Sequence, residues 1–114
     1  DKALKAVAHI IAQYTNRSYD YSFRIGGEEF VILAYHEDSK KLEKFVNTII
    51  HDIEALKVPH KTSKISDYLT ISAGAARFET SHLLNTDEMY KEVDDLLYLA
   101  KKDGRNRFIS RIIN

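Results

Sequence analysis

Residues 19–35 read YDYSFRIGGEEFVILAY. The first seven alternate aromatic or apolar with polar side chains, so Tyr19, Tyr21, Phe23 and Ile25 share one face of an expected strand and are read as core. After Gly26 and Gly27 the run EEFVILAY is almost continuously apolar, as in a strand covered on both faces. A Gly-Gly pair between two such runs predicts a tight hairpin, because the turns that suit strand twist need positive φ at a central position. Reversing the chain, however, has no use for two adjacent carboxylates, and Glu28 and Glu29 stand at that turn. They need a chemical reason.

Outward from the hairpin, helical spacing dominates. Leu4, Val7, Ala8, Ile11 and Tyr14 predict an amphipathic helix from about residue 2 to 15. Leu42, Phe45, Val46, Ile49, Ile53 and Leu56 predict a second, with Asp38 or Ser39 as its N-cap and Pro59 beyond its end. DYLTISAGAARF, residues 67–78, reads as a strand in which Ala73, Gly74 and Ala75 permit close packing. Met89, Val93, Leu96, Leu97 and Ala100 mark a third helix that starts near Thr86 or Asp87 and stops at Gly104. RNRFISRI, residues 105–112, closes the chain as a short strand. The order is αββαβαβ. With a strand in front it is a βαββαβ core of the split βαβ, ferredoxin-like kind with an extra helix and strand behind. The expected class is therefore α+β, a sheet with helices packed on one face.

Composition bounds the function. The 114 residues suffice for one domain or part of one, and 17 basic side chains balance 17 acidic ones. That balance argues against binding to a nucleic-acid polymer or an anionic membrane, so any phosphate site is local. No cysteine is present, which removes disulfides and thiol chemistry and suits a reducing cytoplasm. No apolar run reaches the roughly 18 residues of a membrane span. The histidines at 9, 36, 51, 60 and 82 show no metal-ligand spacing and are assigned no function.

GGEEF at Gly26–Phe30 resembles the signature turn of the GGDEF family of diguanylate cyclases. RSYD at Arg17–Asp20, followed by Ser22-Phe23-Arg24, matches that family's RxxD inhibitory site at its usual distance before the turn. TISAGAA at Thr70–Ala76 resembles its next strand motif, and KKDGRNRF at Lys101–Phe108 its Lys-x-x-Gly-Arg-Asn element. Asp1-Lys2-Ala3-Leu4 is similar to the tail of its Gly-Asp-x-x-Leu segment. The resemblance implies a nucleotidyl-cyclase palm that condenses two GTP into cyclic di-GMP plus pyrophosphate, in a homodimer where each protomer supplies one GTP. It implies Glu28 and Glu29 as catalytic residues and ligands to Mg²⁺, with Mn²⁺ as the alternative ion. It implies Gly26, Gly27, Lys101, Arg105 and Asp1 as nucleotide-binding, and Arg17 with Asp20 as the feedback site for the product. An upstream sensory or receiver domain and a bacterial cytoplasmic location go with it, either in a soluble protein or in the cytoplasmic part of a membrane-anchored sensor.

The family's opening strand and its Phe-Lys-x-x-Asn-Asp segment do not precede Asp1 in this sequence. Residues 1–114 are thus expected to be a GGDEF domain lacking its first third, with one strand absent from the sheet and little activity of its own. Each motif has a plainer reading in isolation: an ordinary hairpin, a solvated acidic turn, a surface ion pair, cations at a helix C-terminus. Their order and spacing together favour the enzyme. The alternatives are a catalytically inactive GGDEF domain that binds cyclic di-GMP or GTP as a regulator, and a purely structural dimerisation module.

Overall fold

The computed structural model describes residues 2–17, 20–26, 29–34, 36, 38–59, 68–78 and 85–113. Its elements follow the predicted order: α1 (Lys2–Tyr14), β1 (Tyr21–Gly26), β2 (Glu29–Leu33), α2 (Ser39–Ala55), β3 (Ala73–Phe78), α3 (Thr86–Lys102) and β4 (Phe108–Ile113). The fold is α+β.

Capping sets where the long helices start. Asp38 is extended and its carboxylate accepts the Lys41 amide at 2.8 Å, satisfying one of the free donors of α2. Asn85 does the same for α3 through the Glu88 amide at 2.8 Å, and the helix starts at Thr86 as predicted. Asp87 and Glu88 in the first turn of α3, and Lys101 and Lys102 in its last, suit the helix dipole.

The buried stripe of α1 is Val7, Ile10 and Ile11, with Ala3 and Tyr14 beside it. Ala8, predicted for that face, is exposed: the larger Ile10 takes the inner position, and a methyl loses little by facing water. Ile49 and Ile53 of α2 meet this stripe together with Leu69. Tyr14 donates its hydroxyl to the Asp52 carboxylate, tying α1 to α2. That contact and burial push the Tyr14 phenol above its ordinary pKa, the hydrogen bond being the larger cause.

The strands form two separate pairs rather than the single expected sheet. β1 pairs antiparallel with β2, β3 pairs parallel with β4, and no ladder joins the pairs among the described residues. Phe30 and Ile32 of β2 pack against the cluster that α1 and α2 build with Leu69, while Ile50 of α2 faces the start of β4. β3 also begins later than predicted, because residues 68–69 fold back on residues 58–59: Pro59 bridges Tyr68, and the Leu69 amide reaches the Val58 carbonyl at 2.6 Å.

The expected burial of the hairpin on both faces does not occur. The register sets Ser22 opposite Ile32 and Arg24 opposite Phe30, so the core-facing side of β1 is polar. Tyr21 pairs with Leu33 on the other side, and these two are 61% and 46% exposed. Tyr21, expected in the core, therefore lies on the face away from the helices. Both faces of the hairpin carry apolar residues, but only one can meet α1 and α2.

The close packing predicted at Ala73–Ala75 is present. A methyl on Gly74 would run into the backbone of α3 at Val93 and Leu97, so glycine is what lets α3 lie directly on β3. Leu96 and Ala100 are fully enclosed there, at 1% and 0% exposure.

Candidate functional site

The chemistry-bearing residues fall at three places. The first is the tip of the β1–β2 hairpin. Pairing runs regularly from Tyr21–Leu33 to Arg24–Phe30 and then slips, so that Gly26 faces Glu29 and Ile25 is left without a partner. This is a β-bulge beside the turn, a device that sharpens twist and re-aims neighbouring side chains. Consecutive strand residues otherwise point to opposite faces, so a distortion is what two adjacent carboxylates need to serve one ion. The backbones of Gly26 and Glu29 flank the turn. Gly27, Glu28 and Asp1 lie outside the described residues.

The second place is the turn from α3 to β4. Here Gly104, Arg105 and Asn106 are successively left-handed, with φ of 128°, 62° and 49°. The Arg105 amide reaches back to the Ala100 carbonyl at 3.0 Å, the long bond of a Schellman cap. Left-handed backbone costs a residue with a side chain about 1–2 kcal/mol, so Arg105 and Asn106 must be held. The Asn106 amide N–H donates to Ser72 Oγ at 3.2 Å, and its side-chain Nδ2 donates to Glu54 Oε2 at 2.9 Å. Arg107 donates from Nε to the Arg105 carbonyl at 2.9 Å and pairs with Asp103 at 3.0 Å. Its own carbonyl accepts the Ala73 amide at 2.9 Å, which stitches the turn to β3.

Lys101 lies in the last turn of α3, and Arg105 in the left-handed turn beyond it. Both remain at the same end of α3, both are exposed, and neither charged group has an acidic partner among the described residues. Arg107 and Arg111 beside them are paired, with Asp103 and Glu92. Such a pair of unmatched cations is what a polyphosphate needs. A cleft of about 190 Å³ lies on the α2 side of this turn, lined by Asn47, Ile50, His51, Glu54, Asn106, Arg107 and Phe108. It contains none of the residues predicted for the site.

The third place is the start of β1, at the opposite end of that strand from the acidic turn. Asp20 is enclosed, with no side-chain exposure, and Arg17 covers it: Nε lies 2.9 Å and 3.1 Å from the two carboxylate oxygens, and the Arg17 backbone N–H donates at 3.1 Å. The Asp20 amide returns a bond to the Arg17 carbonyl at 3.0 Å. The Arg17 hydrogen bond holds the Asp20 carboxyl below its ordinary pKa against the opposing effect of burial. The Arg17 side chain keeps 40% of its surface exposed, so its outer edge can still meet a ligand. This is more than a surface ion pair.

His36 belongs to the same neighbourhood and sequence reasoning passed it over. Its ring leans on Phe45 at 4.7 Å, and its Nε2 is buried without a hydrogen-bond partner among the described residues. Burial, and then the charge of Arg17, depress its pKa, with Asp20 opposing. The Arg77 Nε donates to the His36 carbonyl at 3.3 Å. Glu54 was missed as well. Its only sequence signal was indirect, in the asparagine that follows Arg105. Among the described residues no three His, Asp or Glu side chains converge as a metal site, and no helix is long and apolar enough to cross a membrane.

A family model described as "Diguanylate cyclase, GGDEF domain" matches residues 1–107. The chain is 33% identical over 111 residues to the probable diguanylate cyclase DgcT of Escherichia coli (strain K12), covering 97% of the chain and 24% of the relative. It is 35% identical over 112 residues to the diguanylate cyclase DgcM of the same strain, covering 96% and 25%. The chain thus spans about a quarter of the length of these relatives. Among solved structures, it is similar to the GGDEF domain of DgcB from Caulobacter crescentus in complex with c-di-GMP. The TM-score is 0.76 at 21% identity, over 96% of this chain and 63% of that one. A second structure of that protein, with its coiled coil, gives a TM-score of 0.77 at 19% identity and 96% and 56% coverage.

Proposed function

The chain belongs to the diguanylate cyclase GGDEF domain family, and from that premise we propose that the protein containing it condenses two GTP into cyclic di-GMP. The observation that carries this reading is the family match itself, which spans the acidic hairpin turn, the Arg17–Asp20 pair and the Lys101–Arg105 turn together. A family member that had given up catalysis would have no chemical need for that set.

In each half-reaction the ribose 3′-hydroxyl of one nucleotide attacks the α-phosphorus of the other. A new P–O bond forms, the bond from the α-phosphorus to the bridging oxygen breaks, and pyrophosphate leaves with that oxygen. Glu28 is the group beside the attacking hydroxyl and takes its proton. Phosphoryl transfer of this type depends mostly on positioning and charge neutralisation. The carboxylates of Glu28 and Glu29 are hard oxygen donors that fit Mg²⁺ or Mn²⁺. When bound, the ion supplies positive charge at the triphosphate. Gly26 and Gly27 leave the backbone bare for close approach of the nucleotide. Lys101 and Arg105 hold the β- and γ-phosphates, and Asp1 accepts from the guanine edge. Two protomers meet so that each contributes one GTP, and an upstream sensory or receiver domain governs that meeting in the cytoplasm. Arg17 and Asp20 bind the product and report its accumulation.

The test is Glu28→Gln in the full-length protein, which removes a charge and keeps the volume. Product formation, followed by chromatography, is expected to disappear while GTP still binds. Turnover within about threefold of wild type would remove Glu28 from the mechanism.

A further inference from the structure

We infer that Glu54 is a positioning residue of the nucleotide site, acting through Asn106 to keep Arg105 in its left-handed, outward conformation. The inference rests on the reading of Arg105 as a phosphate ligand, and adds to it three residues with no other assigned role: Glu54, Ser72 and Asn106.

Arg105 and Asn106 occupy backbone that side-chain-bearing residues adopt only when their surroundings enforce it. The enforcement is visible and comes from far along the chain. Asn106 is gripped at its backbone N–H by Ser72, just before β3, and at its side-chain amide by Glu54, on the last turn of α2. The other Asn106 amide atom, Oδ1, is buried and has no hydrogen-bond partner among the described residues. Among those residues the side chain is held by the Glu54 bond. Among the described residues Arg105 itself is held through its backbone, by Ala100 at its amide and Arg107 at its carbonyl. Its guanidinium finds no acid among the described residues, so its direction is set by the turn. Release Asn106 and the two left-handed residues can relax toward ordinary φ, which swings the Arg105 side chain. A cation fixed in place binds phosphate better than one that must be ordered on binding.

The chemistry of the contact permits a sharp test. Glutamate is used here as an acceptor, which glutamine can also be, whereas alanine cannot. An aspartate at 106 would face Glu54 with like charge, and a glutamine at 54 could then donate to it. In the full-length protein, binding of a non-hydrolysable GTP analogue, KM, kcat and thermal unfolding should be measured together. Glu54→Ala is expected to weaken analogue binding by about tenfold, the loss typical of one charge-assisted contact, and to raise KM far more than it lowers kcat. Glu54→Gln should stay close to wild type. Asn106→Asp should lose as much as Glu54→Ala, and the double variant Asn106→Asp, Glu54→Gln should regain most of it. Adding Glu54→Ala to Arg105→Ala should cost nothing further, because Glu54 acts through Arg105.

A lowered melting temperature with unchanged analogue affinity in Glu54→Ala would make Glu54 a structural strut and overturn the inference. So would additive losses with Arg105→Ala, or a double variant no better than Asn106→Asp; that last comparison still decides the matter if Glu54→Ala does not fold. Arg105→Ala serves as the control for the underlying reading. If it binds the analogue as wild type does, the phosphate assignment has failed; if it binds weakly while Glu54→Ala does not, the assignment stands and only the role of Glu54 has failed.

Discussion

At His36 a charged imidazole would have to give up water for an apolar neighbour and a nearby guanidinium, since the ring lies on Phe45 and feels Arg17. The neutral form is thus preferred in the fold. A base whose pKa is depressed on folding leaves stability unaffected above its unfolded value near 6.5, and lowers it as pH falls from there toward the depressed value. Asp20 behaves in the opposite range: its depressed carboxyl contributes stability above its ordinary value of 3.8, lost as pH falls through the depressed one. Acid denaturation is expected in two stages, and His36→Gln should flatten the first. Urea midpoints between pH 8 and 5 that decline equally in wild type and variant would assign that stage to other groups. The enclosure of Asp20 also bears on any test of product binding. Removing the Arg17 side chain leaves a buried carboxylate without its guanidinium, and that destabilises whatever the ligand does. Arg17→Lys keeps the charge and loses the planar fork. It should fold normally and keep its initial turnover, yet bind cyclic di-GMP about tenfold more weakly by calorimetry. Unchanged affinity would reduce the pair to a structural role.

Among the elements, the contact between β3 and α3 is the least forgiving. A methyl at Gly74 meets backbone of α3 rather than a side chain that can rotate away, so the helix itself must shift. Gly74→Ala is expected to cost at least the 1–3 kcal/mol typical of overpacking, seen as a lower denaturant midpoint with an unchanged m-value. A midpoint equal to wild type would mean that α3 does not rest on β3 so closely. This contact could be anticipated from the small residues at 73–75, as could every helix, because periodicity and capping are local properties of the chain. The hairpin was equally plain in Gly26-Gly27. Which of its two apolar faces turns inward was not, since Phe30 with Ile32 and Tyr21 with Leu33 are equally apolar alternations and only the distant stripe on α1 and α2 decides between them. The end of the third helix near Gly104 was legible too, but what holds the turn beyond it was not, because Asn106 is bonded there by Glu54 and Ser72, which lie 52 and 34 residues before it.

Across the whole molecule, the β1–β2 hairpin is backed by the cluster that α1 and α2 share, while α2 also reaches β3 and β4, and the two sides are unequal. Toward β3 and β4 there is a second helix, α3, with Leu96 and Ala100 sealed beneath it, and the turn before β4 is bonded to α2, to Ser72 and to Ala73. Toward the hairpin there is Phe30 with Ile32 on one face, while Tyr21 and Leu33 on the other stand open to water. A two-stranded ribbon is marginal without such backing. Opening β1 and β2 sacrifices one apolar contact face, whereas opening β3 and β4 requires α3 to leave as well. Local stability should therefore fall from the α3–β3–β4 side to the hairpin. Native-state hydrogen exchange on this chain is expected to show β1–β2 amides exchanging about ten- to a hundredfold faster than those of β3–β4 and the middle of α3, through an opening smaller than global unfolding. Leu96→Ala, which empties the enclosed space between α3 and β3 at a cost of about 2–5 kcal/mol, should speed exchange on the β3–β4 side by lowering global stability and leave the hairpin closer to its previous rate. Equal protection in both strand pairs would show that the hairpin opens only when the whole fold does.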